Sequence, residues 1–358
     1  MSIQRLSIHT FLEQRNSGLL LDVRSPAEYA HAHLPGALSL PLFTDEERKI
    51  VGTTYKQTSR EAAIKIGLVF FGPKMRLMVE QVEQWVAQKS SLSDSAQKPA
   101  LFIYCWRGGM RSAAVAWLLD LYGFKVHVLS GGYKTFRAWG IKQLEVPYKL
   151  QLIGGYTGSG KTDLLNALKE KGELVVDLEA LANHKGSSFG NIGLPPQPSP
   201  EMFENLLALE LQRLQALAQT ENKPIWVEDE SQRIGHINLP NSFWNTMRQS
   251  PLYFLDIPFE ERLQYLVKDY GSLDKERMQG AIERISKRLG GLETKNAISL
   301  LQSGNITECF RILLRYYDKH YEKGLHNREN LPLLLNKISC SSVDTANIRF
   351  LLQKPSVA

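Results

Sequence analysis

The sequence predicts an α/β protein built from two consecutive domains, the second organised on a parallel sheet, and three observations carry that expectation. Short apolar runs of strand length recur along the chain, separated by polar turns and by stretches of helical composition. At the middle, the stretch from Gly155 to Thr162 reads Gly-Tyr-Thr-Gly-Ser-Gly-Lys-Thr, which fits G-x-x-x-x-G-K-[ST] with no mismatch. Earlier, Cys105 stands between a strand-like run and a helix-like run and is followed by two arginines and two glycines. The expected layout is a first domain over 1–145 with a helical insertion, a second over 146–335, and a C-terminal segment over 336–358.

The glycine-rich stretch lies between an alternating, apolar 148–153, read as a strand, and 163–171, read as a helix with Leu164, Leu165 and Leu168 on one side. That is the setting a phosphate-binding loop requires. Gly155, Gly158 and Gly160 allow the backbone to turn so that successive N–H groups, with that of Ser159, point at phosphate oxygens at a helix N-terminus. Lys161 brings a mobile point charge to the outer phosphate, and the Thr162 hydroxyl is suited to Mg²⁺. The motif reads as a site for a phosphate chain and does not by itself specify ATP.

Length and composition set the bounds. At 358 residues and 43% hydrophobic content, the chain is long enough for two cores. It has no apolar run near the ~20 residues of a membrane span, and its start lacks the layout of a signal peptide. A cytoplasmic protein with no membrane partner is expected. Cys105, Cys309 and Cys340 form neither a disulfide framework nor a metal site of recognisable spacing, so no metal centre is expected from them. A formal net charge of +6 tilts the balance slightly toward a polyanionic partner.

In chain order, Leu19 to Val23 reads as a short buried strand, then a polar turn and a short helix, with Arg24 and Glu28 readable as a solvated pair. A further short strand is expected over 38–42. Asp-Val-Arg-x-Pro-x-Glu-Tyr at 22–29, followed by His33-x-Pro35-Gly36-Ala37, resembles the opening of a rhodanese domain. The stretch 44–89 reads as mostly helical, with Arg48, Lys49, Lys56, Arg60 and Lys65 on a solvated face, and 90–98 as a surface loop. Strand 101–104 then delivers Cys105-Trp106-Arg107-Gly108-Gly109-Met110-Arg111-Ser112 into a helix over 113–122. Backbone N–H groups, the helix dipole and two guanidinium charges favour a nucleophilic thiolate there. Ordinary rhodanese sulfurtransferases have a shorter loop, and Cys105 to Arg111 has the C-x5-R spacing of rhodanese-fold phosphatases. Such a cradle, with Arg107, Gly108 and Arg111, suits a tetrahedral phosphate-like oxyanion. Cys309 and Cys340 read as structural or surface thiols. A strand over 125–129 is followed by Gly131-Gly132-Tyr133, which resembles the closing turn of the same fold, and by a short linker at 144–148.

In the second domain, 173–178 reads as a strand ending in Asp177, a candidate for the phosphate site. The polar loop 183–190 and the proline-rich 194–200 follow, the former a connection or a substrate contact. A helix is expected over 201–217. Strand 224–231 ends in Glu228, Asp229 and Glu230, of which Glu228 or Asp229 is the candidate to hold Mg²⁺ or its waters, whereas Glu230 also reads as a solvated strand end. Arg233 is placed to reach the phosphates. A strand over 252–257 and a helix over 260–270 resemble a nucleotide-kinase layout. Arg277, Arg284 and Arg288 share one helical face by spacing, either solvated or facing phosphates or tRNA. Beyond 331 a terminal strand or helix and a fraying tail are expected.

Taken together, the Cys105 loop, the 155–162 loop, the stretch 183–190 and Trp226-Val-Glu-Asp-Glu-Ser231 resemble the tRNA 2-selenouridine synthase family over nearly the whole chain. That resemblance implies replacement of sulfur by selenium at the wobble 2-thiouridine of the tRNAs for lysine, glutamate and glutamine, recognised through the anticodon arm, with selenophosphate as donor. It also implies S-geranylation of the same base from geranyl diphosphate, with Mg²⁺ as a possible helper and no requirement for ATP. Cys105 would then handle selenium, with Arg107 and Arg111 on the selenophosphate. The alternatives are an ATP-dependent tRNA sulfurtransferase, whose adenylating Ser-Gly-Gly-x-Asp motif is not found here, a nucleotide-gated RNA-binding adaptor without catalysis, and a phosphatase.

Overall fold

The computed structural model describes residues 3–88, 99–271 and 273–352, so the expected loop at 90–98 and the end of the tail lie outside the described residues. The chain divides into two compact units, Met1–Lys142 and Gln143–Ala358.

The first unit is built on strands β1 (Gln4–Leu6), β2 (Gly18–Asp22), β3 (Leu38–Ser39), β4 (Ala100–Tyr104) and β5 (Val126–Leu129), ordered β1-β5-β4-β2-β3 with every pairing parallel. Parallel sheets are covered on both faces, which is why β2 and β5 are buried at every residue and are mostly apolar, with Asp22 ending β2 and His127 within β5. The core joins Leu19, Leu21, Ile103, Val115, Leu119 and Val128. The insertion is three helices, Asp45–Gln57, Arg60–Phe71 and Met75–Gln88. The first begins in a capping box, with Thr44 Oγ1 accepting from the Glu47 N–H and Glu47 Oε2 accepting from the Thr44 N–H. Phe71, Met78 and Val82 tie the insertion to the core.

Two expectations change in this unit. The strand expected over 38–42 pairs only through Leu38 and Ser39. Arg24 and Glu28 are not a solvated pair. Arg24 is 1% exposed, forks onto Asp22 and lies 3.9 Å over the Tyr133 ring, while Glu28 pairs with Arg111. The Asp22 carboxylate and the aromatic floor offset what the buried guanidinium loses on leaving water.

The second unit has the sheet strands β6 (Leu150–Gly155), β7 (Leu174–Val176), β8 (Ile225–Glu228), β11 (Leu252–Asp256) and β12 (Leu335–Ser339), in the order β12-β11-β6-β8-β7 and all parallel. A small antiparallel hairpin, β9 (Arg233–Ile234) and β10 (Ile237–Asn238), follows β8. Strand β6 is central, with β8 and β7 on one side of it and β11 and β12, which the chain forms after crossing over, on the other. That places a crevice at the carboxyl ends of the strands, where open α/β sheets bind ligands. One core lies on the sheet, with Ile153, Leu165, Leu168, Trp226 and Leu255. A second is helical, formed by Phe259–Tyr270, Lys275–Arg284, Gly291–Gln302 and Ile306–His326. Phe189 and Ile192 plug into it and anchor the otherwise polar loop after residue 183.

The C-terminal stretch is part of this unit. Strand β12 pairs with β11 in the register Leu252 to Leu335, and Ile348 and Leu351 pack with Leu164 and Leu168, so a segment over 336–358 does not stand apart. The arginine face is also broken. Helix Lys275–Arg284 stops at Ile285, which turns inward and is buried, and Arg288 belongs to the next short helix, Ser286–Leu289.

Candidate functional site

In the first unit, the chain leaves β4 at Cys105 and enters helix Met110–Leu121, whose N-cap is Gly109. Cys105 is 3% exposed, and its Sγ lies 3.2 Å from Ser112 Oγ on the first turn of that helix. Its carbonyl accepts from the Tyr133 N–H at 2.8 Å, and that of Trp106 accepts from the Lys134 N–H at 3.0 Å. The loop is therefore tied to the Gly131-Gly132 turn expected from the sequence. Arg107 is exposed, and Gly108 is buried with its carbonyl accepting from Arg5 Nη1. Arg111 is partly buried, with Nη1 donating to Glu28 Oε2 at 2.6 Å. That guanidinium, after burial has worked the other way, holds the Glu28 carboxyl below its usual range. An arriving oxyanion thus meets one free-standing arginine and one already loaded with a carboxylate.

Gly108 has φ +63°, and a Cβ there would lie 2.6 Å from the Leu129 carbonyl oxygen. Gly108→Ala is expected to destabilise the first unit by about 3 kcal/mol, because strain and clash act together. Urea unfolding of the variant against the unaltered protein measures this. The other two cysteines sit in different surroundings. Burial pushes the Cys309 thiol up to about 11 and raises that of Cys340, so neither is a thiolate near neutrality.

In the second unit, the glycine-rich loop joins β6 to helix Lys161–Glu170. Gly160 caps that helix in the left-handed region at φ +71°, and Gly155 and Gly158 shape the turn before it. Ser159 is 2% exposed and its Oγ has no hydrogen-bond partner, a buried donor at the place where phosphate oxygens are expected. Lys161 is partly exposed, with Nζ 3.4 Å from the Gly155 carbonyl oxygen. Thr162 Oγ1 donates to Glu179 Oε2 at 3.1 Å.

Buried groups pin this loop. Arg262, 3% exposed, forks onto Asp318 with two 2.8 Å contacts and donates to the Thr157 carbonyl at 3.0 Å. Tyr321 accepts from the Gly155 N–H at 3.3 Å and donates to Asp229 Oδ2 at 2.8 Å. Asp229 also takes Arg328 Nη2 at 2.5 Å.

Several predicted contacts therefore lie elsewhere. Asp177 caps helix Leu178–Ala182 by accepting from the Ala180 N–H, and Glu228 is buried beneath the cleft, accepting from the Glu179 N–H. Arg233 turns back onto the Gly235 carbonyl of its own hairpin. Asp229 borders the cleft but holds Arg328 and Tyr321. Both oxygens of Asp229 are thus taken, whereas Glu228 keeps one buried oxygen, Oε2, without a hydrogen-bond partner among the described residues. Among the described residues, no three His, Cys, Asp or Glu side chains converge on a metal position. Strand-end carboxylates look alike in a sequence, and only the long helix 306–326 and the turn beyond it reveal which are already paired.

The cleft has a volume of about 730 Å³. Ser159, Lys161 and Thr162 form one wall, and Tyr265, Tyr270, Tyr316, Tyr317 and Trp244 form much of the rest. Lys185 and Arg288 stand at it as well, the former bridging to Asp269 at 3.0 Å. Glu179, Tyr321 and Arg262 are missed by sequence reasoning, because no local motif marks them.

Glu230 is not a solvated strand end. It lines the cleft, and burial, reinforced by the neighbouring charge of Glu179, pushes its carboxyl up to about 8. Burial raises that of Glu179 as well, against the pull of Lys161. A carboxyl whose folded value exceeds its ordinary value of 4.5 costs stability as it ionises. The Glu230 contribution is therefore fully present below pH 4.5 and lost as the pH rises toward 8. Glu230→Gln is expected to stabilise the protein by about 2 kcal/mol at pH 8.5, solvent access and Lys161 having reduced the full penalty, and to change little at pH 4.5. Denaturant melts at the two pH values measure the difference.

A cysteine-loop sheet domain followed by a phosphate-loop domain defines an enzyme of the rhodanese-like, phosphate-loop class. Residues 7–138 match the family model of the rhodanese-like domain, and 148–337 match that of the tRNA 2-selenouridine synthase AAA domain. The chain is similar to proteins named tRNA 2-selenouridine synthase from Nitrosomonas europaea (34% identical, covering 87% of this chain and 90% of that one) and Shewanella frigidimarina (35%, 87% and 89%). One of the same name from Bdellovibrio bacteriovorus is 35% identical, covering 86% of this chain and 89% of its own. The chain belongs to the tRNA 2-selenouridine synthase family.

Proposed function

We propose that this protein converts wobble 2-thiouridine of the tRNAs for lysine, glutamate and glutamine into 2-selenouridine in the cytoplasm, in two steps. The base is first S-geranylated from geranyl diphosphate, and selenium from selenophosphate then displaces the geranyl thiol. The name that the relatives share supports tRNA as partner and selenouridine as product. Among the described residues no helix is long and apolar enough to cross a membrane.

The observation that carries the first step is the make-up of the second unit's cleft, where a phosphate loop and a wall of aromatic rings line one cavity. A diphosphate bearing a ten-carbon apolar chain has a charged head for Lys161 and the loop N–H groups and a tail for the rings. The same donors stabilise the charge that develops on the departing diphosphate. The reading needs no ATP, and Mg²⁺ enters as the counter-ion of the diphosphate rather than on a dedicated set of carboxylates.

The second step is assigned to the first unit. Cys105 handles selenium there, Arg107 meets the phosphate of selenophosphate, and Arg111 exchanges the Glu28 carboxylate for it, one charge-assisted contact replacing another. Geranylation makes this step feasible, because a neutral thiol leaves C2 more readily than an anionic sulfur. Mass spectrometry of nucleosides tests the sequence, using 2-thiouridine tRNA with geranyl diphosphate, with selenophosphate, and with both. The expected result is a geranylated nucleoside with the first alone and selenouridine only with both. No change to any base under the three conditions would end this reading, and selenouridine with selenophosphate alone would remove the geranyl step.

A further inference from the structure

We propose that Glu230 is the general base of the geranyl transfer, accepting the N3 proton of 2-thiouridine as its sulfur is alkylated. The inference rests on the reading above and assigns a step that the reading leaves open.

The chemistry demands such a group. In 2-thiouridine, C2 is doubly bonded to sulfur and N3 carries a proton. When sulfur attacks C1 of geranyl diphosphate, the S–C1 bond forms, the C1–O bond breaks, and its electron pair leaves with the diphosphate. The C2–S bond becomes single, the N3–H electrons become the C2=N3 double bond, and the N3 proton must go to an acceptor. With none at hand the product is a cation, and the transition state bears its cost.

The cleft offers five carboxylates, and four already hold a side-chain partner. Asp163 accepts from Tyr265 at 2.8 Å, Glu179 from Thr162 at 3.1 Å, Asp229 from Tyr321 and Arg328, and Asp269 pairs with Lys185. Glu230, which follows directly on β8, is held by the backbone of Ser231. The backbone at Gly186 passes close to it: a Cβ there would lie 2.6 Å from Glu230 Oε2 and 2.9 Å from Glu179 Oε1. Both carboxylates thus converge on one point of the loop whose Lys185 and Ser187 also line the cleft.

The charged groups facing Glu230 are Glu179 from helix Leu178–Ala182, Lys161 from the phosphate-loop helix and its neighbour Asp229, with Lys185 acting on Glu179 from the loop. Burial and Glu179 make Glu230 a stronger base than a solvated carboxylate, while Lys161 favours its ionised form. A base that titrates near the working pH combines availability with driving force. The lysine is also the group that meets the departing diphosphate, so the acceptor of the proton and the acceptor of the leaving charge share one wall.

Single-turnover geranyl transfer to a 2-thiouridine tRNA, followed from pH 5.5 to 9 with saturating geranyl diphosphate, tests this. The unaltered protein is expected to speed up about tenfold per unit until its rate levels near pH 8. Glu230→Gln should bind geranyl diphosphate as before yet transfer about 100-fold more slowly or worse. Its residual rate should go on rising to pH 9, and the deficit should shrink on a 5-chloro-2-thiouridine tRNA, whose N3 is more acidic. Glu230→Asp, which retains a carboxylate, should keep the levelling profile and lose less than about tenfold. Transfer by Glu230→Gln within about threefold of the unaltered rate and on the same pH profile would overturn the inference while leaving the geranyl reading intact. So would a Glu230→Asp variant as slow as Glu230→Gln. Absence of geranyl transfer by the unaltered protein would overturn both.

Discussion

Lys161→Ala lowers the rate of geranyl transfer by about a thousandfold while the protein stays folded. The magnitude follows from the role. Removing one preorganised donor from a developing anion typically costs about 10²–10³ in rate, and Lys161 also contributes to ground-state binding of the diphosphate. The fold is spared because the side chain is partly exposed and, among the described residues, its hydrogen bond is the 3.4 Å contact to the Gly155 carbonyl. Arg262, Tyr321 and Gly160 hold the loop without it. Transfer from geranyl diphosphate to a 2-thiouridine tRNA gives the rate, and a thermal melt unchanged to within a few degrees gives the control. A variant that still transfers within about tenfold of the unaltered rate would mean that the diphosphate does not bind on this loop.

Cys105→Ser removes selenation by about a thousandfold or more and leaves geranylation within about twofold. A serine hydroxyl at that position can keep the contact to Ser112 and the burial of the site, but it lacks the nucleophilicity of sulfur toward selenophosphate, so chemistry rather than shape is lost. The assay starts from tRNA already geranylated, with selenophosphate added, and counts selenouridine. It is run beside a geranylation assay on the same preparation. Loss of both activities would contradict the assignment of the two steps to separate domains. Retained selenation would show that the thiol has no part in it.

What could be read from the chain and what could not divides along a physical line. The glycine-rich loop is legible because its function is local. Backbone conformations that demand glycine, a lysine and a hydroxyl must follow one another at fixed spacing, and 155–162 shows all of them in eight consecutive residues. Strands β2, β4, β6 and β8 are legible because parallel strands buried on both faces are short apolar runs. The cleft is not legible in the same way. Trp244, Tyr265 and Tyr316 come from three helices, and nothing in linear order says that they line the same cleft as Lys161. Asp229 and Glu230 are neighbours of like type, yet Arg328, 99 positions away, pairs with one and leaves the other facing the cleft. The C-terminal strand is hard to read in the sequence for a related reason. The run Leu335–Ser339 mixes polar with apolar residues because it is an edge strand, and an edge strand needs only one buried flank.

Binding of geranyl diphosphate, measured by calorimetry on the full chain with inorganic diphosphate and ATP as competitors, tests most directly the claim that the aromatic cleft and the phosphate loop form one site. The account predicts saturable binding of geranyl diphosphate that inorganic diphosphate displaces, that Lys161→Ala abolishes, and that is about tenfold or more tighter than ATP binding, a difference of about 1.4 kcal/mol from the apolar tail. Tight binding of ATP with none of geranyl diphosphate would contradict it and return the loop to a nucleotide.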